Sequence, residues 1–217
     1  MKDENNNQKQ KQSHYRKDRV QAKQKFFGST TVAYSKNHER VCILESSLER
    51  DYFIMMQFEA LDDYHAQPTP MKHLVDGKVQ NYTPDVCYIK DGEQYIVEIK
   101  PHKYTLSDDF KSKVTFLTDE YKKRGIHFSV VTEKDIYDGC RIQNLSMLRP
   151  SLSHPAPVNE VKQLKQSLNI NRKYTLSEMN AKAINIGISP AYIKRAIAHG
   201  LFKVDMTVHY SRWQVSI

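Results

Sequence analysis

Three residues with reactive side chains lie at the ends of two short extended segments. Asp85 ends the motif Tyr82-Thr83-Pro84-Asp85, and Glu98 and Lys100 occupy alternate positions in the largely apolar run 95–100. Because side chains alternate between the two faces of a strand, Glu98 and Lys100 point the same way. Two carboxylates and an ammonium group at one place are what metal-dependent hydrolysis of a phosphodiester requires.

A turn signal between the two segments predicts that these residues meet. Asp91-Gly92 is typical of a two-residue hairpin loop, so residues 86–89 are expected to pair with residues 95–97. Asp85, Glu98 and Lys100 would then lie at one end of a sheet.

A third carboxylate comes from a predicted helix at residues 45–58, where apolar residues recur at three- and four-residue spacing. Glu49 is the candidate, and Glu45, one helical turn earlier on the same face, is the alternative. Clustered carboxylates repel one another, so a hard divalent cation would explain the set, and the carbonyl of Ile99 offers a neutral ligand.

The catalytic role expected for Lys100 is to orient or deprotonate water, or to stabilise charge on the phosphate. Each residue also has an ordinary structural explanation. Asp85 could cap a turn, Glu98 could pair with Lys100, and Glu49 could lie on a solvated helix surface. The combination favours a function.

The surrounding elements predict an α/β fold. The Asp76-Gly77 turn predicts another hairpin, and residues 106–124 read as a helix with Ser107 as N-cap and Gly125 as its stop. Residues 126–132 follow as a buried strand. A strand, a crossover helix and a second strand favour parallel pairing, which predicts a mixed sheet with helices on both faces.

The predicted domain organisation has four parts. Residues 1–30 form a basic disordered tail, 31–148 the catalytic domain, 149–157 a proline-rich linker, and 158–217 a small C-terminal module. Three short helices and a final hairpin or wing give that module a winged-helix pattern. Its third helix carries Tyr192, Lys194 and Arg195 as candidate phosphate contacts, although a protein-binding use is equally compatible with the pattern.

The net charge of +8 indicates a polyanionic partner. Residues 1–25 hold eight Lys/Arg and three Asp/Glu, so the tail, including Lys23 and Lys25, is a candidate DNA-contacting arm. Cys42, Cys87 and Cys140 lack the close spacing of zinc sites or disulfide frameworks, so they are expected to be reduced core residues. The sequence contains no apolar stretch long enough to predict a membrane span, and it lacks the apolar run that would predict a signal peptide.

These motifs resemble those of a known family. Ser47-Leu48-Glu49-Arg50-Asp51, Gln67-Pro68, Tyr82-Thr83-Pro84-Asp85 and Val97-Glu98-Ile99-Lys100-Pro101 are similar, in order, to the TnsA family of PD-(D/E)xK nucleases. The similarity covers residues 40–135 and extends in pattern to the helices around residues 176–200.

The resemblance implies a restriction-endonuclease-like core that uses Mg²⁺ or Mn²⁺ to cleave the 5′ ends of a transposon. By motif position, the metal-binding and catalytic residues would be Glu49, Asp85, Glu98 and Lys100, with the carbonyl of Ile99 as a further metal ligand. Implied partners are double-stranded DNA at the transposon ends, a DDE transposase subunit of the TnsB type, and an AAA+ regulator of the TnsC type that binds the C-terminal module.

The implied location is the bacterial cytoplasm, at the nucleoid when the protein is active, with no membrane partner. Two other functions remain open from the sequence. One is a stand-alone restriction or repair nuclease with the same core, and the other is a non-catalytic adaptor that bridges DNA and a regulator.

Overall fold

A computed structural model describes residues 31–35, 40–75 and 78–217. The predicted basic tail, with Lys23 and Lys25, and the Asp76-Gly77 turn lie outside the described residues. Strands within these ranges are β1 Thr31–Ser35, β2 Arg40–Leu44, β3 Asp63–Ala66, β4 Met71–Val75, β5 Lys78–Tyr82, β6 Val86–Lys90, β7 Glu93–Ile99, β8 His127–Val131, β9 Tyr174–Thr175 and β10 Gln214–Val215. The α-helices are α1 Ser47–Met56, α2 Asp108–Lys122, α3 Glu133–Ile136, α4 Arg141–Leu148, α5 Val158–Gln166, α6 Leu176–Asn185 and α7 Ala191–Ala198.

The central sheet has four strands in the order β3-β6-β7-β8. β6 runs antiparallel to both β3 and β7, whereas β8 runs parallel to β7 after the crossover through α2. Asp91 and Gly92 both have positive φ in the β6–β7 turn, as a tight hairpin loop of this kind requires. The predicted mixed sheet flanked by helices is confirmed.

The two faces of the sheet are covered by different elements. Val86, Val97 and Ile99 belong to a core with α1, β2 and α3. Alternate residues on the same strands, Cys87 and Ile96, pack against Leu117 and Tyr121 of α2. The ribbons β1–β2 and β4–β5 are separate two-stranded sheets.

Helix α1 starts later than the sequence predicts. Its N-cap is Ser46, whose hydroxyl accepts a hydrogen bond from the Glu49 N–H, so Glu45 lies outside the helix. The prediction that Glu45 and Glu49 share one helical face is therefore wrong. The reason is local, because an N-cap serine with glutamate three residues later is a strong start signal.

The C-terminal residues form their own core, in which Trp213 and Phe202 are fully buried. The sequence predicts a hairpin or wing at residues 204–217, and the C-terminal end of this segment makes two antiparallel pairings. β10 pairs with β9, upstream of α6, and Ser216 forms an isolated bridge with Lys203. The predicted linker begins with a 3-10 turn at Arg149–Ser153.

The C-terminal core is joined to the sheet-bearing part through α4. The Asn144 side-chain amide donates hydrogen bonds to the carbonyls of Met206 at 2.8 Å and Val208 at 2.7 Å. The Cys140 N–H donates to the Thr207 carbonyl at 2.7 Å. No helix within the described ranges is long and apolar enough to span a membrane.

Candidate active site

Asp85 occupies the centre of the candidate site. It directly precedes β6, and the register that pairs Val86 with Val97 brings it opposite Glu98. The Asp85 backbone carbonyl accepts the Gln67 N–H at 2.7 Å, and its side-chain Oδ2 accepts the Ile99 N–H at 2.6 Å. Asp85 is thus fixed between the ends of β3 and β7, because the Gln67-Pro68 motif holds its backbone and the Ile99 N–H holds its carboxylate.

The environment of Asp85 disfavours its charged form. The pKa of Asp85 is raised from 3.8 to about 7, chiefly by burial, and the negative charges of Glu98 and Glu49 add to the rise. The Ile99 hydrogen bond and the positive charge of Lys100 act in the opposite direction. Glu49, Glu98 and Lys100 therefore all lie within electrostatic reach of Asp85.

Glu98 is buried, and both of its carboxylate oxygens have partners. The Tyr82 hydroxyl donates to Oε2, and the Lys113 ammonium lies 3.3 Å from Oε1. Burial, followed by the hydrogen bond to Glu98, raises the pKa of Tyr82, so its hydroxyl remains a donor. The structural alternative, in which Glu98 pairs with Lys100, is not seen among the described ion pairs, and the lysine that contacts Glu98 comes from α2.

Glu49 is held by the start of its own helix. Its Oε1 accepts the Ser46 hydroxyl at 2.8 Å, and its Oε2 accepts the Glu45 N–H at 2.9 Å. Its pKa is raised by burial, although these two hydrogen bonds oppose the rise. Glu45 is exposed, whereas Glu49 is buried. Of the two alternatives, Glu49 is the one whose negative charge helps to raise the pKa of Asp85.

Lys100, the first residue after β7, still pairs with β8. The Lys100 N–H donates to the Val131 carbonyl at 2.9 Å, which extends the parallel pairing by one residue. Pro101 then precedes a 3-10 turn at His102–Tyr104, and the His102 N–H donates to Glu133 at 2.7 Å. Pairing with β8 therefore holds Lys100 at the end of the sheet.

The described residues contain no group of three His, Cys, Asp or Glu side chains arranged to hold a metal ion by themselves. Glu49 directs both oxygens to its N-terminal partners, and Glu98 directs both to Tyr82 and Lys113. A metal ion at Asp85 would therefore have to displace a present partner of Glu98 or of Glu49, and Ile99 is the candidate for a main-chain ligand.

The candidate DNA contacts of the C-terminal module lie on α7. Lys194 is exposed, and the Arg195 guanidinium stacks over the Tyr192 ring with 4.9 Å between its central carbon and the ring centroid. This cluster is remote in sequence from Asp85. Of the three cysteines, Cys42 and Cys87 are buried, as expected, whereas Cys140 is only partly buried.

The sequence does not predict two residues of the site, Tyr82 and Lys113. Tyr82 belongs to the Tyr82-Thr83-Pro84-Asp85 motif, but the motif does not indicate that the Tyr82 hydroxyl contacts Glu98 directly. Lys113 looks like an ordinary polar position of an amphipathic helix. The available signal is its place three residues after Phe110, beside the buried face of α2, but the contact itself depends on how α2 is rotated against the sheet.

No protein-family model matches the chain, and no curated protein matches it. The resemblance to the TnsA family therefore rests on the motifs and their order. The geometry adds that Asp85 and Glu98 occupy neighbouring strand ends.

Proposed function

We propose that this chain is the Mg²⁺-dependent DNA endonuclease subunit of a heteromeric transposase and cleaves the 5′ ends of the transposon. The observation that carries the proposal is the position of Asp85. Its carboxylate is fixed at the end of the sheet opposite Glu98, with Glu49 and Lys100 near enough to shift its pKa. Phosphodiester hydrolysis uses this combination of oxygen ligands and a cationic side chain.

The donor chemistry supports a hard divalent cation, Mg²⁺ or Mn²⁺. Asp85 and Glu98 supply carboxylate oxygens and Ile99 a candidate carbonyl oxygen, which are the ligand types that such ions select. A cation would also offset the mutual repulsion that helps to raise the pKa of Asp85. When bound, the metal supplies Lewis-acid stabilisation of the phosphate and a water of lowered pKa.

The protein's own groups would divide the remaining work. Lys100 neutralises charge that develops on the phosphate or orients the attacking water. Asp85 and Glu98 act as oxygen ligands and hold their positions through the Ile99 N–H and the Tyr82 hydroxyl. Glu49 strengthens the negative potential that attracts the cation, and its hydrogen bonds at the start of α1 fix its orientation.

We also propose a restriction-endonuclease-like core and a C-terminal winged helix. The four-stranded mixed sheet with Asp85 at one end is compatible with a restriction-endonuclease-like core. In the C-terminal module the order α5, β9, α6, α7, the Lys203 bridge, a loop and β10 is compatible with a winged helix. The third helix of that arrangement would be α7.

Charge distribution supports a DNA-contacting role for this module. Residues 158–217 contain nine Lys/Arg and three Asp/Glu, whereas residues 31–148 contain fifteen Lys/Arg and nineteen Asp/Glu. Tyr192, Lys194 and Arg195 would contribute phosphate contacts from α7. The remaining partners we propose are a DDE transposase and an AAA+ regulator, the latter bound through the C-terminal module.

The test is cleavage of transposon ends in a reconstituted system that contains the partner transposase and regulator. Asp85→Ala and Lys100→Ala are expected to reduce 5′-end cleavage by roughly two orders of magnitude or more while complex assembly persists. Asp119→Ala and Lys111→Ala, at exposed positions of α2, are the matched controls and should cleave normally. Full cleavage by both site variants would refute the assignment.

A plasmid-nicking assay with the isolated protein separates this proposal from a stand-alone nuclease. A subunit that depends on its partners should nick little by itself. Efficient Asp85-dependent nicking without partners would favour the stand-alone enzyme.

A further inference from the structure

The contacts of Glu98 include a lysine from outside the nuclease motif. Lys113, on α2, has its Nζ 3.3 Å from Glu98 Oε1 and 4.7 Å from the centroid of the Tyr82 ring. The Tyr82 hydroxyl donates to the other oxygen of Glu98. The Lys113 ammonium thus already contacts Glu98 Oε1, a carboxylate oxygen that the proposed metal ion would bind.

The two members of this ion pair differ in exposure. The Glu98 side chain is 10% exposed, whereas the Lys113 side chain is 44% exposed. Glu98 is also fixed by a strand inside the sheet. Lys113 has a long flexible stem at a helix surface, so it can reach water while Glu98 stays buried. If the pair separates, the lysine is the partner that moves.

We propose that Lys113 is an exchangeable counter-ion, which leaves Glu98 when a divalent cation binds that carboxylate and then contacts a phosphate of the DNA substrate. This inference rests on the proposed nuclease function. A single carboxylate oxygen cannot serve both cations at close range, because the ammonium and the metal repel each other. A phosphodiester strand at the site offers the displaced ammonium a new negative partner.

Tyr82 has a different task from Lys113. It is neutral, it donates one hydrogen bond to Glu98, and its ring supports the ammonium from the side. It would keep the carboxylate oriented both before and after the exchange. Tyr82 is therefore a positioning residue, and Lys113 is the residue that changes partner.

The first test measures Mn²⁺ binding to the full-length protein by calorimetry, without DNA. Lys113→Met removes the competing charge but keeps most of the stem, so the variant is expected to bind Mn²⁺ about tenfold more tightly than wild type. Lys113→Arg keeps the charge and should bind as wild type does. Lys111→Met is the control, since Lys111 pairs with the exposed Asp108 at 3.1 Å. Equal or weaker Mn²⁺ binding by Lys113→Met would overturn the inference.

The second test measures DNA affinity against salt concentration in Ca²⁺. Loss of one phosphate contact in Lys113→Met should reduce the slope of log affinity against log salt by about one, and Lys113→Arg should restore it. An unchanged slope in Lys113→Met would also overturn the inference.

The Mn²⁺ titration also distinguishes this inference from the function on which it rests. If wild type and Lys113→Met bind Mn²⁺ equally and Asp85→Ala abolishes binding in both, the exchange is wrong and the metal site stands. If Asp85→Ala does not weaken Mn²⁺ binding in either protein, or if neither protein binds Mn²⁺, both the exchange of Lys113 and the proposed metal site are wrong.

Discussion

At the scale of single residues, the surroundings of Asp85 include features that raise its pKa and features that lower it. Burial and two neighbouring carboxylates raise its pKa, while one backbone N–H and Lys100 lower it. The carboxylate is consequently ionised at a cost to the folded protein. A residue under such a cost is better explained by ligand binding than by a capping role, because a cap would stabilise the ionised form overall.

This balance predicts an unusual dependence of stability on pH. Between about pH 4 and pH 7 the folded protein keeps a proton on Asp85 that the unfolded chain has released. The contribution of Asp85 to the free energy of unfolding therefore falls as pH rises through this window. Asp85→Asn keeps an oxygen that can accept the Ile99 N–H but cannot ionise.

Urea unfolding at pH 5 and pH 8 in the presence of EDTA measures this effect. Asp85→Asn is expected to gain about 2 kcal/mol over wild type on going from pH 5 to pH 8. The control is Asp119→Asn, which replaces an exposed carboxylate on α2. A wild-type pH dependence in Asp85→Asn would show that Asp85 ionises freely.

At the scale of elements, the sequence predicts those whose own residues determine them. Ser107 caps α2 and Gly125 follows it with positive φ, as expected. Asp91-Gly92 fixes the β6–β7 register and so brings Asp85 opposite Glu98. By contrast, the sequence pattern does not indicate β3 at Asp63–Ala66, because this short polar segment becomes a strand through its pairing with β6.

The rest of the site depends on how elements pack rather than on their own sequences. The contact of Lys113 with Glu98 is set by the rotation and position of α2 over the sheet. The helices α3 and α4 follow the last predicted strand without a strong apolar period, and they are short. Such features are outcomes of tertiary structure, so periodicity and turn signals cannot predict them.

The N-cap of α1, Ser46, is expected to contribute to the stability of the folded protein. Ser46 caps the helix and also hydrogen-bonds the Glu49 carboxylate, so one side chain orders both the element and a site residue. Ser46→Ala is expected to reduce the free energy of unfolding by about 1 kcal/mol. Ser47→Ala changes the next, exposed residue and should have little effect. Equal losses in urea unfolding would contradict the assigned cap.

At the scale of the whole molecule, the charge and the candidate chemistry lie in different parts of the chain. The sheet-bearing residues 31–148 have a net negative charge and hold the carboxylates, whereas residues 158–217 have a net positive charge. Under the proposed function, the C-terminal module and the basic residues 1–25 would attract a DNA substrate that is cleaved at the sheet. The relative position of these two parts then matters for function, and the contacts of α4 with residues 206–208 set it.

Gly139 is the position at which this connection can be tested most directly. It has a φ of 52°, and a Cβ there would lie 2.2 Å from the Thr207 carbonyl oxygen. Gly139→Ala is therefore expected to separate the 206–208 loop from the start of α4, breaking the hydrogen bond from the Cys140 N–H to Thr207. The clash and the strained backbone together should cost roughly 2–4 kcal/mol.

Gly125→Ala is the matched control, because Gly125 has a φ of 70° and open space around its Cα. It reports the backbone strain alone, for which about 1 kcal/mol is expected. Urea unfolding measures both costs, and limited proteolysis reports whether cleavage within residues 149–157 becomes faster in Gly139→Ala only. Equal stability losses, with no faster cleavage in Gly139→Ala, would show that the loop contact does not hold the two parts together.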